Sequence, residues 1–223
     1  MILAAHQPQF MPWLGYLHKM ARCDVFVLLD DVQFKKNEFQ NRNKIWSAEG
    51  GRWLTVPVLH KFPQDIREVR VNNEPNWRDK ERKTLAQTYS RAAHFKDSWG
   101  PWDKMYSMGW DSLLDINLYT IEELRRAFGV RTPMKLSSGL GAEGRATERL
   151  VNICRKEGAD AYLSGAGGRD YLETGLFEKA GIRLFFQEFK HPVYPQFGGE
   201  FVPHLSALDA VFHLGPKAPE LLA

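Results

Sequence analysis

The stretch Val25-Phe26-Val27-Leu28-Leu29 is apolar at every position, and such a segment has few places to go. A half-exposed strand alternates apolar and polar residues, because successive side chains point to opposite faces. A strand that is apolar on both sides belongs inside a parallel sheet, covered by helices above and below. Residues 2–5 form a second short apolar run, and between the two Trp13, Leu14, Leu17, Met20 and Ala21 recur at helical spacing. Strand, helix and buried strand make a βαβ unit, whose strands pair in parallel through a crossover.

The alternation returns in the last third of the chain. Strands are predicted at 134–137, 161–163 and 182–186, with helices at 146–156 and 171–180. In the first of those helices Leu150, Ile153 and Cys154 face inward. Ser206 reads as the N-cap of a short helix ending near Gly215, with Asp209 at the acidic third position of a capping box. Residues 53–58 are a further strand, 66–71 alternate like an edge strand or hairpin arm, and 77–128 are mainly helical, broken at Gly100-Pro101. The expected fold is α/β: a Rossmann-like, mostly parallel sheet with a helical insertion in the middle. With 223 residues, one domain over 1–223 is expected, with 76–130 as the insertion.

Charge narrows the function classes. Thirty basic and 27 acidic residues give +3, interleaved as in Arg78-Asp79-Lys80-Glu81-Arg82-Lys83, which is a solvated helix face rather than a nucleic-acid footprint. A small positive excess suits an anionic small molecule such as a nucleotide. Cys23 and Cys154 are too few and too far apart for a metal site and read as reduced core thiols. No stretch approaches the roughly 20 apolar residues of a membrane span, and the apolar start is stopped by His6-Gln7-Pro8-Gln9. The expected location is the cytoplasm.

Five places could carry chemistry. The first is the loop after the first strand, with His6, Gln7, Gln9 and Trp13, stiffened by Pro8 and Pro12 and followed by Lys19. It either presents a proton-transfer group and a cation to a ligand or is a plain Pro-rich turn. The second is Asp30-Asp31-Val32-Gln33, where the carboxylates end a parallel strand. They either hold an amine, hydroxyl or ion, or cap a turn. The third is the amide-rich segment with Asn41, Arg42 and Asn43, a rim with a phosphate-binding guanidinium or a solvated loop. The fourth is Ser164-Gly165-Ala166-Gly167-Gly168 leading to Tyr171, an anion-binding strand-to-helix turn or a tight turn only. The fifth is Gln196 with Ser206 and Asp209, an amide among aromatics beside a capping box. No zinc, nucleophile-elbow or Walker motif occurs.

Taken together and in order, these blocks resemble the WbqC-like protein family. The resemblance rests on His6 to Gly15, Asp30 to Phe34, Asn41 to Asn43, Tyr162 to Gly165, and Phe201 to Asp209. It covers about residues 2–215, and departs at His213, where the family has a small polar residue such as Asn. It implies a place in bacterial surface-polysaccharide (O-antigen, lipopolysaccharide) biosynthesis. There the chain would act on a nucleotide or nucleotide-linked amino sugar as a transferase or ligase, by acyl, aminoacyl or nucleotidyl transfer. A looser likeness, to the His-motif nucleotidyltransferases, rests on Phe10-Met11-Pro12, Gly15 and Asp24-Val25, with Tyr16 where that superfamily has His. On this reading His6, Asp30 and Asp31 are catalytic, and the other residues named in the five blocks bind substrate or nucleotide. No cofactor is fixed, and ATP with Mg is the candidate. The alternatives are a non-catalytic nucleotide-sugar binding protein or an assembly scaffold.

Overall fold

The computed structural model describes all residues 1–223. The first half holds β1 (Ile2–His6), α1 (Leu14–Ala21), β2 (Val25–Leu28), β3 (Arg42–Ile45), β4 (Arg52–Thr55), β5 (Val58–Leu59), β6 (Arg70–Val71) and α2 (Trp77–Tyr89). Then come α3 (Phe95–Ser98), α4 (Gly100–Ser107), α5 (Leu113–Ala127), β7 (Met134–Leu136), α6 (Ala146–Glu157), β8 (Ala161–Ser164), α7 (Thr174–Lys179), β9 (Arg183–Phe186) and α8 (Leu208–Leu214). The chain divides into two units, each built from three separate stretches. A sheet unit holds 1–7, 18–31 and 131–190, and a helical unit holds 8–17, 32–130 and 191–223.

The sheet unit carries a five-stranded sheet in the order β7-β2-β1-β8-β9, parallel throughout. Counted along the chain, its strands run third, second, first, fourth, fifth, which is the Rossmann order, and the α/β expectation holds. β1 is central: Ala4 pairs with Phe26 on one side and Leu163 on the other. β2 is buried at all its positions, as its unbroken apolar run requires. The core gathers Leu3, Val27, Ile153, Cys154, Tyr162 and Phe177, each large apolar side chain contributing about 1.5–3 kcal/mol by burial. α6 turns Val151, Ile153 and Cys154 inward and ends at Gly158, whose φ of 70° is the left-handed cap that glycine adopts without strain.

The helical unit contains α2 to α5 and α8, with antiparallel pairs β3–β4 and β5–β6. α5 begins where Ser112 Oγ accepts the Asp115 N–H (3.4 Å) and buries Leu113, Ile116, Ile121 and Leu124. No helix of the chain is long and apolar enough to cross a membrane.

Three local expectations come out differently, and one holds. Residues 66–71 are a turn, Ile66–Glu68, leading into a two-residue strand, because Glu68 accepts the Asp65 N–H (3.3 Å) and closes the backbone locally. Gly100-Pro101 breaks the helical stretch as expected: α3 ends at Ser98 and a new helix, α4, opens on Gly100; proline is tolerated in that first turn, where its missing N–H has no partner to lose. The segment at 42–45 is strand β3 rather than loop, since Lys44 opposite Trp53 and Asn43 opposite Leu54 give it a register. The helix expected from Tyr171 starts only at Thr174, after a 3-10 turn over Ala166–Asp170.

Candidate functional site

The sheet unit has one crevice where its topology reverses. From β1 the chain builds outward to β2 and β7, then returns to place β8 and β9 on β1's other side. In open α/β sheets, ligands bind beyond the carboxyl ends of the strands at such a switch point. A cavity of about 290 Å³ lies there, walled by Ala5, His6 and Gln7 from the end of β1 and by Tyr162, Ser164 and Gly165 from β8. Lys19, Leu29, Leu150, Gly167, Gly168 and Tyr171 complete it.

Lys19 sits in the last turn of α1, where a cation complements the helix dipole. Its side chain is 3% exposed, and Nζ donates to Ala5 O at 3.1 Å. No carboxylate lies within ion-pair distance of it, and none lines the cavity. Burial therefore pushes the Lys19 ammonium from an ordinary 10.5 down to about 7. A Cβ at Gly165 would stand 4.0 Å from Nζ, so glycine backbone closes on the ammonium directly.

His6 ends β1, and its O accepts the Leu29 N–H at 2.8 Å. Its Nδ1 lies 3.1 Å from Gln7 O. A carbonyl has no proton to give, so Nδ1–H donates and Nε2 is the unprotonated nitrogen of the neutral ring. Burial first, and Lys19 second, lower its pKa to about 3. Ser164, 3% exposed, donates from Oγ to Gly165 O at 3.1 Å. Gly168 has to be glycine, because a Cβ there would overlap that hydroxyl. Tyr171 stands at the mouth, 70% exposed. The result is a small recess with one buried cation, a neutral imidazole, a hydroxyl, an amide and glycine backbone.

Thus the structure brings His6, Gln7, Lys19, Ser164, Gly165, Gly168 and Tyr171 to one cavity. Asp30 and Asp31 follow β2 on the same edge of the sheet but line no part of that cavity. Asp30 accepts the Ser138 N–H (3.0 Å), Ser138 Oγ (2.6 Å) and Ser137 Oγ (3.2 Å), capping the turn after β7. Asp31 is held by Ser137 Oγ and the Arg149 guanidinium. Burial alone would raise the Asp31 carboxyl, but these hydrogen bonds and the Arg149 charge bring it below its ordinary range. Sequence reasoning missed Ser137, Ser138 and Arg149 as the anchors, and Leu150 as a wall. A serine pair ending a strand was the available signal.

The remaining candidates belong to the helical unit. Asn41 Nδ2 donates to Val56 O (3.0 Å) and Asn43 Nδ2 to Met11 O (2.7 Å), so the amide-rich segment stitches backbone together. The Arg42 guanidinium lies 4.1 Å from the centre of the Trp53 ring. Gln33 Nε2 donates to Phe34 O (2.9 Å) and Gln64 O (3.2 Å). Gln9 is buried with no partner at Oε1, and Trp13 stacks with His191 at 6.4 Å. Ser206 is not the N-cap expected of it: α8 begins at Leu208 with Ala207 at the cap position, and Ser206 Oγ, one residue earlier, accepts the Leu208 N–H (3.2 Å). Asp209 makes no capping box. It accepts from Tyr89 Oη (2.7 Å), Tyr194 Oη (2.9 Å) and Gln196 Nε2 (2.9 Å), and burial raises its pKa. Phenol hydroxyls buried beside it turn the carboxylate inward, away from the helix start. His213, the position departing from the family pattern, packs against Phe197 at 4.6 Å.

No group of three or more His, Cys, Asp or Glu side chains is gathered as a metal site. No solved structure matches the chain. A protein of Mycobacterium tuberculosis (strain ATCC 25618 / H37Rv), Uncharacterized protein Rv1507c, is 32% identical over 224 residues, covering 99% of this chain and 96% of the relative. The model of the WbqC-like protein family matches residues 7–221. With the sequence blocks, the Rossmann-ordered sheet and a relative alike from end to end, the chain belongs to the WbqC-like protein family.

Proposed function

We propose that the sheet unit binds the phosphate of a nucleotide or nucleotide-linked amino sugar at the switch-point cavity, and that the protein is a cytoplasmic transferase or ligase of surface-polysaccharide biosynthesis. The observation that carries this reading is Lys19: a lysine buried at a ligand-binding crevice with a carbonyl and the Phe26 ring face as partners and no carboxylate paired with it. A buried cation without a counter-ion is unfavourable, and a phosphate oxygen is the charge complement it lacks. Ser164 and the Gly165–Gly168 turn add donors around the same anion. His6 Nε2 would take a proton from an attacking amine or hydroxyl, in an acyl, aminoacyl or nucleotidyl transfer. Bound phosphate raises its basicity by offsetting Lys19. Asp30 and Asp31 act here by fixing the rim of the sheet through Ser137, Ser138 and Arg149. A second reading, a binding protein without turnover, is favoured by the depression of His6 to about 3, which leaves it a weak base.

The test is a thermal-shift screen with nucleotides and nucleotide-sugars, with and without ATP and Mg. A true ligand at a hundredfold excess over its Kd stabilises by about 2.7 kcal/mol. His6→Gln then separates the readings. An enzyme keeps its affinity and loses rate by roughly 100- to 10,000-fold; a binding protein shows no turnover in either form. A screen in which no phosphate-bearing compound raises Tm sinks the proposal.

A further inference from the structure

The switch-point cavity has a charged end and an aromatic end, joined by one turn. Lys19 is the one side chain of fixed charge in its wall, so it neutralises a single phosphate group. At the start of the turn after β8, Gly165 stands against that ammonium, where an added Cβ would lie 4.0 Å from Nζ. At the far end of the same turn, Tyr171 lines the cavity and is 70% exposed. At about 2 Å per residue along a 3-10 turn, these two ends are on the order of 10 Å apart.

A lone aromatic on a protein surface needs no explanation. Tyr171 differs because it lines the cavity and its backbone is fixed on both sides. Its N–H donates to Gly168 O (3.3 Å), as does that of Leu172 (3.0 Å). Leu172 is buried in the core of the sheet unit. The Glu173 N–H donates to Thr147 Oγ1 of α6 (3.1 Å). A loose loop loses chain entropy when it orders around a ligand, whereas this segment is ordered before any ligand arrives.

We infer that Tyr171 is the platform on which the base of a nucleotide stacks, a step that rests on Lys19 holding the phosphate. The ligand is then a nucleotide rather than a bare sugar phosphate. Spacing separates the two. In a sugar 1-phosphate the phosphate sits on the sugar ring itself, so a phosphate on Lys19 keeps that ring inside the recess. In a nucleoside 5′-phosphate the ribose stands between phosphate and base and carries the base outward. A recess of about 290 Å³ is at the lower limit for a small-molecule site. It suits the phosphate and ribose, with the base at the mouth against Tyr171. Every base has a π-face, so such stacking accepts purines and pyrimidines alike. Leu29 and Leu150 form another apolar wall, on the β2 side; a base buried there would not depend on Tyr171.

The test is calorimetric titration of the full chain with UMP, CMP, AMP and GMP, and with ribose 5-phosphate as the ligand that lacks a base. The tightest mononucleotide is expected to bind at least about 10-fold more tightly than ribose 5-phosphate. Tyr171→Ala is expected to weaken that mononucleotide by roughly 10- to 100-fold, to leave ribose 5-phosphate within about twofold, and to keep the wild-type Tm. Tyr171→Phe keeps the wild-type affinities, because the ring face and not the hydroxyl makes the contact. Lys19→Met loses both ligands. If neither ribose 5-phosphate nor any mononucleotide binds wild type, the phosphate reading falls and the platform with it. Three results would overturn the platform while the phosphate reading stands: ribose 5-phosphate matching the mononucleotides, Tyr171→Ala leaving the mononucleotide unaffected, or Tyr171→Ala weakening both ligands alike.

Discussion

A lysine sealed from water reports on itself through pH. Lys19 titrates near 7 in the folded chain and at 10.5 when unfolded. Between those values the unfolded chain holds a proton that the folded chain has lost, so stability rises with pH across that window. Below 7 both forms are protonated and the penalty is fully present. His6 works the same way lower down: its folded pKa of about 3 lies under its unfolded 6.5, so stability falls as pH drops between them. Replacing Lys19→Met removes the upper slope. It is expected to stabilise the protein by roughly 1–4 kcal/mol at pH 7, after allowing for the lost bond to Ala5, and to abolish the thermal shift given by nucleotides. Denaturant unfolding at pH 7 and pH 10, with and without nucleotide, checks both halves. A variant that is less stable than wild type and still binds would show that Lys19 holds structure and not ligand.

At the level of elements, the site depends on how β8 gives way to the 3-10 turn after it. Ser164 ends the strand, and Gly168 leaves the space its hydroxyl occupies. Gly168→Ala is expected to destabilise by about 1–3 kcal/mol through overpacking and to weaken nucleotide binding, because the glycine wall of the cavity has to move. In a Ser164→Ala background the same change should cost much less, since the obstructing Oγ is gone. A double-mutant cycle on Tm reads the coupling; equal effects in the two backgrounds would separate Gly168 from Ser164. The element pattern was legible where its cause is local. The apolar runs of β1, β2 and β8 and the inward face of α6 appear in the structure within a residue or two of their expected bounds. The 66–71 segment was misread because side-chain bonding at Glu68 acts on a single residue, beneath what periodicity can resolve.

For the whole molecule, the weaving of the chain matters more than its length. The sheet unit takes β1 and β2 from the start of the sequence and β7, β8 and β9 from residues 131–190. A chain ending at Val130 keeps the helices of the middle but loses three strands of five. It leaves Val25, Val27 and Leu3 without the Tyr162, Phe177 and Ile153 that cover them. Such a chain is expected to lose its cooperative unfolding transition and to be cut rapidly by protease within 1–31. Retention of a sharp melting transition with that segment protected would mean that β1 and β2 are stable alone, contrary to the usual marginal stability of two-stranded sheets.

The sequence by itself determined which segments had to be buried and which turns had to follow them. An all-apolar run can only be a covered strand, and in a parallel sheet the loops that bind ligands follow strand ends. That was enough to nominate His6, Lys19, Ser164, Gly165 and Gly168 together. Only the tertiary structure decided which polar residues answer to each other. Asp30 and Asp31 are adjacent in sequence to the end of β2, but Ser137, Ser138 and Arg149, more than a hundred residues away, take up their oxygens. Asp209 has the spacing of a capping box, yet Tyr89 and Tyr194 draw it inward. A carboxylate bonds whichever donors the fold brings within about 3 Å, and no local pattern states which those are. Lys19 differs in kind: it has an exceptional environment because the fold brings it the Ala5 carbonyl and the Phe26 ring but no carboxylate, and that could be seen only once every neighbour had been placed.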